Sequence, residues 1–332
     1  MISRELLQKA ADKNIIQSHQ IEPLIRFIRD QETPADTDNR EEPLKFIRSF
    51  GDVFITLGVV LLVIAINMSA LSGYFYLIPA VGFIAVAEWL VRVRRLALPG
   101  IALLTAILYF VNKAIAFDHE NATIFGLAIL SLTSLLFYLR YKMPFSLLPL
   151  AAGLVAIGII QIGLDVIKHP IIFTGFGLIV FIVAMWFDVR DTARLSHLSD
   201  SAFWLHLLAS PLMVHGAMVS MLFSDQAWIQ AIGKEVIIVT FFSAILFLAL
   251  LLDRRAILIS TQLYMIYALT QILQGQLDST QNILIYILMA LGLFVIFFGT
   301  YWYKTRRLIF GFLSESVISR YIPDLELVDT RL

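Results

Sequence analysis

The chain has 332 residues, balances 25 basic against 25 acidic side chains, and is 59% hydrophobic but only 15% charged, with a mean hydropathy of +0.83. Soluble domains carry nearer a quarter charged residues and do not string apolar runs of about twenty together, so the composition excludes an ordinary soluble fold. Zero net charge says nothing about nucleic acid, but no basic tail is present and no nucleic-acid partner is expected; the absence of cysteine excludes disulfides, thiolate metal sites and cysteine nucleophiles.

Residues 3–29, SRELLQKAADKNIIQSHQIEPLIRFIR, predict two short amphipathic helices. Leu6, Leu7 and Ala10 mark one face, Ile21, Leu24, Ile25 and Ile28 the other, and Asn14 and Ser18 stand between as turn or cap residues. So small a hairpin buries little by itself. Residues 1–29 are therefore expected to dock on a cytoplasmic protein, on a second copy or on the membrane surface. The segment lacks the basic face of a helix-turn-helix DNA reader. Residues 30–44 follow as a tether: 30-DQETPADTDNREEP-43 holds six acidic residues and two prolines, a composition expected to stay solvated and disordered. No cleavable signal peptide is visible, and the first apolar run is expected to serve as an uncleaved anchor.

Residues 45–307 read as a transmembrane domain of ten helices, near 50–70, 72–91, 97–117, 121–139, 143–166, 170–187, 201–223, 234–252, 256–276 and 281–303. The connections offer a check through the excess of Lys and Arg on cytoplasmic loops. With the N-terminus inside, the inner connections and the exit from span 10 hold Arg92, Arg94, Arg95, Arg140, Lys142, Arg190, Arg194, Arg254, Arg255, Lys304, Arg306 and Arg307. The outer ends hold only Lys113, Lys168 and Lys234. Twelve against three, alternating without a miss, predicts ten spans with both termini cytoplasmic.

Inner span ends place acid before base: Glu88 then Arg92, Asp188 then Arg190, Asp253 then Arg254. These are expected to be interfacial ion pairs with snorkelling basic chains, and Glu88 with Arg92 has the i, i+4 spacing that pairs on one helix face.

Span 7 carries His206, Pro211 and His215 inside an apolar run that begins with Trp204 near the inner interface. Pro211 removes a backbone hydrogen bond, frees the carbonyl of Leu207 and is expected to kink the helix. Nine residues turn a helix by about half a revolution, so His206 and His215 are expected on opposite sides, unable to share a metal ion. Span 9, 256-AILISTQLYMIYALTQILQGQ-276, is the most polar. Ser260, Tyr264, Tyr267, Gln271 and Gln274 recur at helical spacing as one stripe. Unpaired polar groups in hydrocarbon cost several kcal/mol, so the stripe should face protein or water. The two spans cross in the same direction, and rise per residue sets His215 level with Tyr267 and Gln271, and His206 near Ser260 and Tyr264. Spans 7 and 9 are thus expected to line a common polar interior, read either as interhelical hydrogen bonding or as a substrate or proton path.

Span 5 carries Ala152, Ala156 and Gly163 on one stripe with Gly153 and Gly158 nearby, and span 10 carries Gly292 and Gly299; both predict close helix packing. Asp165, Lys168 and Lys113 at outer ends are expected to snorkel. Residues 308–332 are expected to lie along the inner interface. Phosphate-binding glycine loops, HExxH and Gly-x-Ser-x-Gly elbows are missing, so no catalytic residue, metal or cofactor is assigned.

The order of these parts resembles an uncharacterised family of bacterial polytopic membrane proteins. The resemblance rests on IIQSHQIEPLIRFI, the tether and the first span FGDVFITLGVVLLVIAINMSA; FWLHLLASPLMVH and LLDRRAILIS are also similar to stretches of ten-span proteins of Gram-negative bacteria. It implies a bacterial inner-membrane location and no chemistry.

The expected fold is an all-α integral membrane bundle of about ten helices with a cytoplasmic N-terminal hairpin. The expected function is a transporter or permease of a small solute, by analogy with carriers built as two five-span halves of opposite orientation. The alternative is a non-transporting membrane scaffold or sensor whose hairpin binds a cytoplasmic partner.

Overall fold

The computed structural model describes residues 7, 11, 16–24, 49–115, 122–163, 169–192, 194, 196–222, 233–273 and 280–313. The tether, residues 116–121, 164–168 with Asp165 and Lys168, 223–232 and 274–279 with Gln274, and the tail beyond Leu313 lie outside the described residues, as do the side chains of Ser260, Tyr264, Tyr267 and Gln271. Every described element is helical. In chain order the long helices are α1 (Phe50–Asn67), α2 (Leu77–Ala87), α3 (Ala97–Ile115), α4 (Ala122–Tyr141), α5 (Leu147–Ile162), α6 (Ile171–Arg190), α7 (His197–Leu222), α8 (Lys234–Leu252), α9 (Arg255–Leu273) and α10 (Thr280–Phe310).

Among the described residues, eight helical stretches are long and apolar enough to cross a membrane, α2 counting with its flanking turns as Gly73–Val93; ten were expected. The difference falls on α8, whose apolar part is the shorter Val236–Leu252, and on α9, the helix with the polar stripe. The chain is membrane-embedded: leucine, isoleucine and phenylalanine side chains stand outward along α1, α2, α6 and α10, where only hydrocarbon would accept them.

The most extensive packing is between the successive helices α6 and α7, followed by α4–α5, α2–α3 and the longer-range α7–α9, while α1 packs on α3 instead of α2. One apolar core holds α2 and α3 together around Phe83, Leu103, Leu104 and Phe110. Another joins α8, α9 and α10 around Ile245, Leu250, Ile257 and Trp302. Phe145, in the 3-10 turn Pro144–Ser146 before α5, meets Trp204 of α7 edge-on at 4.9 Å, so the arginine-rich connections share one end of the bundle.

Those connections are tight, and each turns through a non-glycine residue in the left-handed region. Arg95, Lys142, Arg194 and Asp253 have φ of 54°, 52°, 54° and 54°. Left-handed backbone is where glycine usually ends a helix, so four charged residues there have to be held by their surroundings. Before Arg95 the helix also widens into a π-turn, Glu88–Val93, which carries Glu88.

In α5 the small residues pack closely as expected: a Cβ on Gly153 would collide with Ser131 of α4, and one on Gly158 would stand 2.6 Å from the Phe176 ring of α6. A Cβ on Gly292 or Gly299 would meet nothing within 4 Å, so these glycines do not mediate packing, and Gly163 ends α5 at φ 65° instead of extending its stripe. Closest approach occurs between α6 and α7. A Cβ on Gly216 would stand 2.6 Å from the carbonyl oxygen of Pro170, and one on Gly177 would stand 2.7 Å from the amide of Met213.

Helix α10 extends beyond the expected end of span 10 to Phe310, with a break at Tyr301 (φ −109°, ψ 18°) that lets Trp302 and Arg306 turn inward. At the N-terminus, Ser18–Gln20 forms a 3-10 turn, and Ala11 and Ile21 on either side of it are buried.

Candidate functional site

At the arginine-rich end, α6, α7, α8, α9 and α10 enclose a buried ionic network. Its first part is centred on Asp188, two residues before the end of α6 and 7% exposed. His206 of α7, fully buried, places Nε2 2.8 Å from Asp188 Oδ2. Arg254, 1% exposed, donates from Nε to the same oxygen at 3.2 Å and from Nη2 to Oδ1, so the guanidinium grips the carboxylate with two groups. Arg254 Nη2 also donates to the carbonyl and hydroxyl oxygens of Ser199, at 3.2 and 3.1 Å. Phe181 of α6 closes the site by meeting the imidazole edge-on at 5.1 Å.

The second part is centred on Asp253. Helix α8 ends in a Schellman arrangement: the amide of Arg254 donates to the carbonyl of Ala249 at 2.9 Å, and that of Asp253 to Leu250 at 3.3 Å. The left-handed turn at Asp253 swings its carboxylate into the bundle. There Arg194 Nη1 donates to Oδ2 at 2.9 Å and the indole Nε1 of Trp302 to Oδ1 at 2.5 Å. Arg194 also donates to the carbonyls of Leu252 and Asp253, and Arg306 to those of Leu250 and Leu251. Two guanidinium groups thus satisfy the orphan carbonyls at the negative end of the α8 dipole.

The connection before α7 is shaped to deliver its share. Asp191 Oδ2 accepts from the amide and hydroxyl of Ser196 at 2.9 and 2.7 Å, and Ser196 Oγ accepts from the amide of Leu198. This capped turn starts α7 with Ser199 facing Arg254 and Arg194 facing Asp253.

The acidic and basic residues expected to pair along one helix end therefore pair across helices. Asp188 binds Arg254 and His206, and Asp253 binds Arg194, while Arg190 stacks on Trp186 with its guanidinium carbon 3.4 Å from the ring centre. Geometry explains the correction, because residues one or two apart on a helix do not face each other. Arg194, Asp253 and Arg254 are buried instead of snorkelling. Glu88 does meet Arg92, at 3.2 Å, and also takes Arg140 at 2.8 Å and the hydroxyl of Tyr141 at 3.1 Å, as a half-exposed cluster joining α2 to α4.

Each histidine of α7 meets a ring of α6 edge-on, His206 that of Phe181 and His215 that of Phe173 at 5.3 Å. Pro211 lies between them, inside a helix that runs on through it. Helices α7 and α9 are in contact, with Ser210 donating to the carbonyl of Ile257 at 3.0 Å and Thr261 buried nearby. The stripe proper, Tyr264, Tyr267 and Gln271 with Ser260, has its side chains outside the described residues. Sequence reasoning missed Ser199 and Trp302, and counted Arg194 and Arg306 only as basic residues of the inner connections. The one available signal was an arginine at the apolar end of a span, and it could not identify a partner some fifty residues away.

No protein-family model matches the chain, and no curated protein or solved structure matches it significantly.

Proposed function

We propose that the chain is a transporter or permease of a small solute in a bacterial inner membrane, with ten spans and both termini cytoplasmic. Helices α8 and α9 are the spans beyond the eight most apolar. Positive charge concentrated at one end of the bundle supports that orientation.

One observation carries the reading. A histidine, a carboxylate and a guanidinium converge inside the bundle, where an ionisable group is costly and by default marks a solute or proton path. Histidine carries charge near neutral pH, and His206 Nε2 stands 2.8 Å from the Asp188 carboxylate that Arg254 also holds. The proposed path follows from this cluster along the contact of α7 with α9, where Ser210 meets the backbone of Ile257. Purified protein in vesicles holding a pH-sensitive dye tests the reading. A panel of small carboxylates, amines and neutral solutes should include one that drives a pH change lost in His206→Gln. A folded protein that moves none of them contradicts it.

The scaffold or sensor alternative is favoured by the burial of Ala11 and Ile21, which fits a structured N-terminal hairpin. Deleting residues 1–44 spares transport under the first reading and abolishes function under the second.

A further inference from the structure

Helices α8, α9 and α10 enclose a second feature, separate from the ionic network. It is a cavity of about 230 Å³ walled by Phe242 and Ser243 of α8, Thr261, Gln262 and Met265 of α9, and Phe294 of α10. Rise per residue sets Phe242, Ser243, Thr261 and Gln262 roughly 10–15 Å from the arginine-rich end, inside a hydrocarbon layer about 30 Å thick. None of its described lining residues is charged. Its floor is closed, with Phe242 at 9% and Thr261 at 2% exposure, while Ser243 is exposed and Gln262 half-buried.

Size and lining define what fits. An apolar cavity of about 150 Å³ holds one benzene ring, so this one takes a ring with substituents. Phe242, Phe294 and Met265 offer the ring faces and the polarisable sulfur that favour an aromatic or quinonoid occupant. The Thr261 hydroxyl is already committed to the carbonyl of Leu258 at 2.7 Å. The Gln262 amide and the Ser243 hydroxyl supply the polar atoms of an otherwise apolar wall, at a depth where polar atoms gain from a partner. A charged headgroup would find no counter-charge in this lining. We propose that this cavity binds a neutral, ring-bearing amphiphile dissolved in the bilayer, with a carbonyl or hydroxyl group that meets Gln262 and a hydrocarbon tail that leaves toward the lipid.

The probe is a tritiated decyl-substituted benzoquinone. Its retention is measured on the full chain in phosphatidylethanolamine–phosphatidylglycerol nanodiscs, above the background of empty discs. Binding should saturate at one molecule per chain. Gln262→Leu should weaken it about fivefold, the loss of one hydrogen bond. Ser243→Phe should abolish it by filling the space, and Val239→Phe, at the same wall, serves if the first variant does not fold. Retention that only tracks the lipid content of the discs overturns the proposal, as does unchanged binding in Gln262→Leu or in a folded cavity-filling variant.

Discussion

Arg254 reaches back 66 residues to grip Asp188, while Asp253, its neighbour in sequence, holds Arg194. The connection between α8 and α9 thus exchanges counter-ions with the end of α6 and the start of α7, acid for base in both directions. Each partner is buried, so each needs the other.

Removing one partner leaves a buried charge uncompensated. Arg254→Met should cost about 3–5 kcal/mol of stability, and Asp188→Asn a comparable amount. The double variant Asp188→Leu with Arg254→Met should cost less than either, because no charge is then stranded. Thermal unfolding of the purified variants in detergent reads all three. Additive losses would contradict the pairing.

Asp253 combines a left-handed backbone with two side-chain bonds. Asp253→Ala loses the bonds and keeps the strain, whereas Asp253→Gly loses the bonds but relaxes the backbone by about 1 kcal/mol. Asp253→Asn keeps one acceptor for Trp302 or Arg194 and tolerates the left-handed region. Melting temperatures should therefore fall in the order wild type, Asn, Gly, Ala. A glycine variant no more stable than alanine would show that the turn carries no strain.

The glycines separate packing from accident. Gly216→Ala pushes a methyl against the backbone of Pro170 and Thr174, so α6 and α7 must separate, and the variant should melt well below wild type. Gly292→Ala meets open space and should stabilise α10 by about 0.5–1 kcal/mol through helix propensity. Both follow from the same melting curves.

The two acidic clusters should respond differently to salt. Glu88, Arg92 and Arg140 are half-exposed, whereas Asp188 and Arg254 are buried. Glu88→Gln should lower the melting temperature less than Asp188→Asn. At about 1 M salt, where screening acts within ~3 Å, only the effect of Glu88→Gln should vanish.

Much of the bundle was legible because a span is a local property. Twenty apolar residues declare themselves, and so does the alternation of arginine between connections. The network was not, because it depends on which helices become neighbours. Asp188 stands two residues from Arg190 in sequence, yet that side chain lies over Trp186 while the carboxylate turns inward to His206 and Arg254. The left-handed turns left no mark either: Arg95, Lys142, Arg194 and Asp253 stand where glycine would have announced them. The sequence marks His206 as costly inside a membrane and Asp188 as half of an interfacial pair with Arg190. Nothing local connected the two.

The most direct test uses the absence of native cysteine. Single cysteines at Leu208, Val214 and His215 of α7 and at Tyr267 and Gln271 of α9 are exposed, from each side of sealed vesicles, to a membrane-impermeant thiol reagent. A water-reached path between α7 and α9 predicts labelling at several of these positions, faster when Arg254→Met loosens the network. Silence at all five, with cysteines in the connections labelling normally, would contradict the path and leave His206 as a brace between α6 and α7.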